Sequence, residues 1–73
     1  MGRYSRGDHV KIEVVNENSG ESEWVWLLVE RRDDAGRLVF GKLDSVPIVI
    51  TDMHLGQELA VSYDNVREHR RFD

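Results

Sequence analysis

The sequence predicts an all-β domain, either a small five-stranded barrel or a strongly bent antiparallel sheet, with one short helical turn near residues 51–55. Three observations carry this. Apolar and polar residues alternate along several segments, where a helix would show a period near 3.6 residues. The run Trp24-Val25-Trp26-Leu27-Leu28-Val29 is apolar on both faces, as in a strand covered from two sides. Turn-forming residues separate these segments at short intervals.

The first strand is His9–Val15, with Val10, Ile12 and Val14 on one face and His9, Lys11 and Glu13 on the other. Residues 16–22 are polar and turn-forming. The second strand is the tryptophan run, about Glu23–Arg32. Asp33-Asp34-Ala35-Gly36 makes a tight turn in which Gly36 is free to take a positive φ. The third strand covers Arg37–Asp44, and Gly41 at its centre marks a bulge or a close backbone approach.

Pro47 has no N–H for a central ladder and interrupts the pattern, after which Ile48-Val49-Ile50 has the composition of a short edge strand. Thr51 or Asp52 caps the helical turn and Gly56 stops it. Leu59, Val61 and Tyr63 restore the alternation, Asp64-Asn65 turns the chain, and Val66–His69 forms a last short strand. The stretches from Gly7 and from Gly56 share one design: a glycine turn, two polar residues, then an alternating strand. Closure in an SH3-like barrel would let a bent central strand bury both faces and leave no open edge. Residues 7–69 form the core of this single domain, with 1–6 and 70–73 frayed.

A chain of 73 residues leaves no room for a second core. The absence of cysteine excludes disulfides and thiolate metal sites, which leaves a packed core or a partner subunit to hold the domain. No apolar segment reads as a signal peptide or a membrane span, and a cytoplasmic location is expected. The net charge of −4 is uneven. Residues 1–11 carry three bases and one acid, residues 12–64 four bases and eleven acids, and residues 65–73 three bases and two acids. An acidic body with mildly basic ends weakens a broad nucleic-acid reading.

The candidate catalytic groups are sparse. His9, His54 and His69 lack metal-ligand spacing and read as surface histidines. Asp33-Asp34 and Glu21/Glu23 are paired carboxylates, but the first pair belongs to a turn and neither shows the desolvated partner that acid–base chemistry needs. No serine stands in an elbow motif, and no glycine-rich phosphate loop is present. The reading is therefore non-enzymatic, without metal or cofactor.

The aromatic residues pose the sharper question. Trp24, Trp26 and Leu28 share one face of the second strand; Val25, Leu27 and Val29 share the other. A small barrel needs bulk to fill it, which favours tryptophans pointing inward as core. Facing outward, they would form a ridge near Phe40 or Tyr63 that anchors a partner. The expected function is accordingly a protein-binding module using Trp24, Trp26, Phe40 and Tyr63, with Glu17, Glu21, Asp33 and Asp34 steering a basic partner. The alternative is a small nucleic-acid-binding barrel using Arg3, Arg6, Arg67, Arg70 and Arg71 with an exposed aromatic.

The order of residues resembles the YegJ-like bacterial family of unknown function. The likeness rests on Glu23-Trp24-Val25-Trp26-Leu27-Leu28-Val29, Gly41-Lys42-Leu43-Asp44-Ser45-Val46-Pro47, Leu55-Gly56-Gln57-Glu58-Leu59-Ala60-Val61 and Asn65-Val66. Val25 stands where that pattern has methionine, and Ser45 where it favours asparagine. The resemblance implies a small cytoplasmic β domain and brings no catalytic residue with it.

Overall fold

The computed structural model describes residues 4–48 and 53–72. The strands are β1 (His9–Val15), β2 (Ser22–Asp33), β3 (Leu38–Leu43), β4 (Glu58–Ser62) and β5 (Val66–Arg70), with a 3-10 turn at Tyr63–Asn65 between the last two. All neighbours are antiparallel in the order β4-β3-β2-β1-β5. Among the described residues β4 and β5 do not pair with each other, so the sheet is open and strongly bent, not a closed barrel. Its concave side holds one core: Val10 and Ile12 of β1, Val25, Leu27 and Val29 of β2, Val39 and Leu43 of β3, Val61 of β4, with Tyr4 and Tyr63 together closing one end. Burying each aliphatic side chain in this set is worth about 1.5–3 kcal/mol.

The bend has a local cause in β2. Val29 pairs with Gly41, but the next pair is Arg31 with Phe40, so Glu30 is an extra residue in the strand. Such a bulge kinks the strand and reverses its alternation. Before it, even-numbered residues face outward; after it, Arg31 lies on the outside over Phe40, 3.8 Å from the ring centre. Arg32 instead reaches the inner rim, where its Nη1 donates to the carbonyl of Tyr4 at 2.8 Å. Gly41 is what allows β2 to pass this closely. A Cβ there would stand 2.2 Å from the carbonyl oxygen of Leu28. The expectation of a close approach at Gly41 holds, and the bulge belongs to the strand facing it.

Several local expectations are corrected. The residue with positive φ in the β2–β3 turn is Arg37 (φ 56), not Gly36. Gly36 serves another need: the Asp33 carboxylate accepts its N–H at 3.1 Å and occupies the space a Cβ would take. The expected helical turn at 51–55 falls partly on residues 51 and 52, outside the described residues; Met53 and His54 are irregular, and Leu55-Gly56 form a turn. Among the described residues the helical turn is Tyr63–Asn65, capped by Ser62, whose Oγ accepts from the Asp64 N–H at 3.2 Å. Ile48 lies in a bend, and residues 49 and 50 of the expected edge strand are outside the described residues. Gly7 (φ +94) and Gly56 (φ +86) do use the left-handed region that makes each a turn before a strand.

Of the segments expected to fray, 1–6 and 70–73, residues 1–3 and 73 lie outside the described residues, and two of the others are built into the fold. Tyr4 is 4 % exposed and part of the core, while Arg70 completes β5.

Two glycine substitutions separate a clash from a backbone cost. Gly41→Ala should lower the unfolding free energy by about 3 kcal/mol, because backbone must move to admit the methyl group. Gly56→Ala meets no atom within 4 Å and should cost only about 1 kcal/mol, through its positive φ. Urea-denaturation midpoints of the two variants check this; equal losses would remove the close approach as the reason for Gly41.

Candidate docking face

The inner face of β2 is filled by Val25, Leu27 and Val29, which are 1 %, 0 % and 1 % exposed. The opposite face therefore carries Trp24, Trp26 and Leu28 outward, and Trp24 is 48 % exposed. This corrects the inward reading. Valines and leucines fill a sheet this thin, and the indoles are left outside.

Among the described residues no second layer covers them. Neighbouring side chains lean across instead, in the way long charged side chains cover apolar surface with their stems. Lys11 of β1, paired directly opposite Trp26, holds its Nζ 5.8 Å from the Trp26 ring and 5.9 Å from that of Trp24. On β5, the Arg67 guanidinium lies 5.9 Å from the Trp24 ring and that of Arg70 5.0 Å from the Trp26 ring. The pairing of β1 with β5 thus brings Arg67 and Arg70, near the C-terminal end, onto the tryptophans. Arg71 is exposed beside them in the chain, Arg6 is exposed near the other end, and Arg3 lies outside the described residues.

The remaining candidates scatter. Phe40 is half-buried on the outer side under Arg31, bordering a groove toward Glu58 and Leu59 at the β4 edge. Tyr63 is not a surface residue: it is 7 % exposed, stacks on Tyr4 at 4.9 Å and donates its hydroxyl to Asp34. Burial first, then the Asp34 carboxylate, raise the Tyr63 phenol above its ordinary range. Asp34 in turn is held below the usual carboxylate range by Tyr63 and by Arg32, which reaches it at 3.1 Å. Asp33 is used in the turn, and Glu21 sits exposed near the opposite end of β2. Asp33 and Asp34 are thus structural acids away from the tryptophans, and they do not form a steering surface with Glu17 and Glu21.

Two histidines have carboxylate partners that their spacing in the chain conceals. His9 Nε2 lies 2.7 Å from Asp44 on the outer face. His69 Nε2 lies 2.6 Å from Asp8 on the inner side of the β1–β5 end. Asp8 is 4 % exposed and also accepts the N–H of Ser5 at 3.0 Å and of Phe72 at 2.9 Å. One carboxylate therefore ties both ends of the chain together and seats β5, whose opposite side carries the arginines. Among the described residues no three His, Asp or Glu side chains converge as a metal site. Nor is any helix among them long and apolar enough to cross a membrane.

No family model matches the chain, and no similar sequence among curated proteins or similar fold among solved structures is found.

Burial raises the Asp8 pKa, but the Phe72 N–H, His69 and the Ser5 N–H outweigh it and hold the group below the ordinary value. The unfolded chain therefore binds this proton more tightly, so Asp8 stabilises the fold above about pH 4 and loses that contribution as pH falls through its lower folded value. Asp8→Asn should cost about 2 kcal/mol at neutral pH, as for a broken buried hydrogen-bonded charge. It should also flatten the acid limb of the stability curve. Thermal melts of both chains from neutral to acid pH test this; an acid limb unchanged in the variant would assign the effect to other carboxylates.

Proposed function

We propose that the protein is a non-enzymatic, cytoplasmic binding module that docks another protein on the outer face of β1, β2 and β5. The observation that carries this is the placement of an exposed Trp24 and a half-buried Trp26 on the outer face of the sheet, with Arg67 and Arg70 over their rings. Tryptophan and arginine are the residue types that most often dominate binding energy at protein interfaces. Two-residue spacing along a strand sets the indoles about 6–7 Å apart, close enough for one partner segment to cover both.

The charge of this face modifies the expected partner. The side chains over the tryptophans are cationic, so complementarity favours an acidic partner over a basic one. The same grouping is what the nucleic-acid alternative requires, since indoles stack on bases as well as on side chains. Against it stands the acidic body of the chain, with a net charge of −4. The non-enzymatic reading is supported by the separation of the two carboxylate-bonded histidines on opposite sides of the sheet, where they converge on no common site.

Because both indoles lie outside the core, a Trp24→Ser, Trp26→Ser variant should keep its unfolding free energy, read from urea denaturation, within about 0.5 kcal/mol of the wild-type value. Leu27→Ala should lose about 2–5 kcal/mol. The double variant and the wild-type chain, used as baits in an extract of the cells of origin, should differ in what they retain. Each retained protein is then purified and titrated by calorimetry. Binding that persists unchanged in the double variant would reject this face, and tight, salt-dependent binding of a mixed oligonucleotide would replace the protein partner by nucleic acid.

A further inference from the structure

The side-chain contacts on the tryptophan face leave an asymmetry. Lys11 is engaged by Glu68 at 3.3 Å and His9 by Asp44 at 2.7 Å. Arg67 and Arg70 have no carboxylate within ion-pair distance among the described residues. A guanidinium lying over an indole uses its flat face there and keeps its N–H edge for a planar acceptor. Beside Arg70 the surface is concave: His9, Trp26, Asp44 and Arg70 line a shallow pocket of about 260 Å³.

We infer that this pocket is the anchor of the docking face and seats an aspartate or glutamate side chain of an acidic, aliphatic partner segment. The assignment rests on the reading of the tryptophan face as a protein-docking surface. Arg70 receives the carboxylate along its N–H edge, and the side-chain stem lies against Trp26. Asp44 is already satisfied by His9, so it does not compete for Arg70 at close range. Glu13, opposite Trp24, borders the Arg67 end and makes that end the weaker seat. A cationic partner side chain would meet both indole faces already taken by arginine. A nucleic-acid strand would find two uncommitted guanidinia on an acidic body, too few to hold a run of phosphates.

The test uses the full chain labelled with nitrogen-15. It is titrated with a capped peptide in which glutamate and leucine alternate, with the matching lysine–leucine peptide, and with a ten-thymidine oligonucleotide. The acidic peptide should shift the Trp26 indole and Arg70 Nε–H resonances. Arg70→Gln should weaken that binding about tenfold, Arg70→Lys less, and Arg71→Gln hardly at all. Response to the lysine peptide, tighter binding of the oligonucleotide, or full affinity in Arg70→Gln would each overturn the anchor. Concentration-dependent self-association that shifts the same resonances without peptide would also overturn it, by giving the face to a second copy. A natural partner lost with Trp24→Ser, Trp26→Ser but kept with Arg70→Gln would refute the anchor alone. A partner kept in both would refute the docking face itself.

Discussion

The architecture depends on the passage of β2 over Gly41. At this point the Leu28 carbonyl comes so near the facing strand that no side chain fits, and Glu30 is squeezed out of the ladder as a bulge. The kink lets a 12-residue strand serve both ends of a bent sheet. It also exchanges the faces of the strand. Without it, Arg31 would point toward the core and Arg32 to solvent. With it, Arg31 covers Phe40 and Arg32 joins Tyr4 to Asp34 at the rim. One missing side chain thus sets the curvature of the core and the placement of two charges.

A second constraint acts at the other end. Asp8 gathers Ser5, His69 and Phe72 around one buried carboxylate, and Tyr4 stacks between His69 and Tyr63 at 4.7 and 4.9 Å. This clasp does what a disulfide often does in a domain of similar size: it holds the segments at Ser5 and Phe72 together on the core. It bears on function as well. β5 is an edge strand held on its inner side through His69, and its outer side presents Arg67 and Arg70 to the tryptophans. The stability of the fold and the composition of the docking face therefore meet in one five-residue strand.

How far this was legible differs by element. The boundaries of β1 and the presence of β2, β3, β4 and β5 follow from alternation and turn chemistry, which are local properties of the chain. The need for glycine at position 41 follows from its place inside an apolar strand. The helical turn expected near 51–55 is not seen at Met53–Leu55, because Gly56 reads equally as a helix stop and as the positive-φ turn that begins β4. From the sequence Tyr63 reads as a surface aromatic, because its burial depends on Tyr4, a residue far away in the chain whose neighbours look like a tail.

The sequence by itself determined an all-β chain, its strand segments, the inner face of β1 and the close approach at Gly41. Each of these is encoded within a few residues, by side-chain period or by backbone freedom. The tertiary structure alone decided which face of the tryptophan run lies inward. Both faces are apolar, so no periodic signal distinguishes them, and the choice falls to packing: three aliphatic side chains fit beneath the bent sheet. It also decided that His9 meets Asp44, 35 residues away, and that His69 meets Asp8 across 61 residues. Such pairs arise from the order in which strands lie side by side, and that order is a property of the whole sheet.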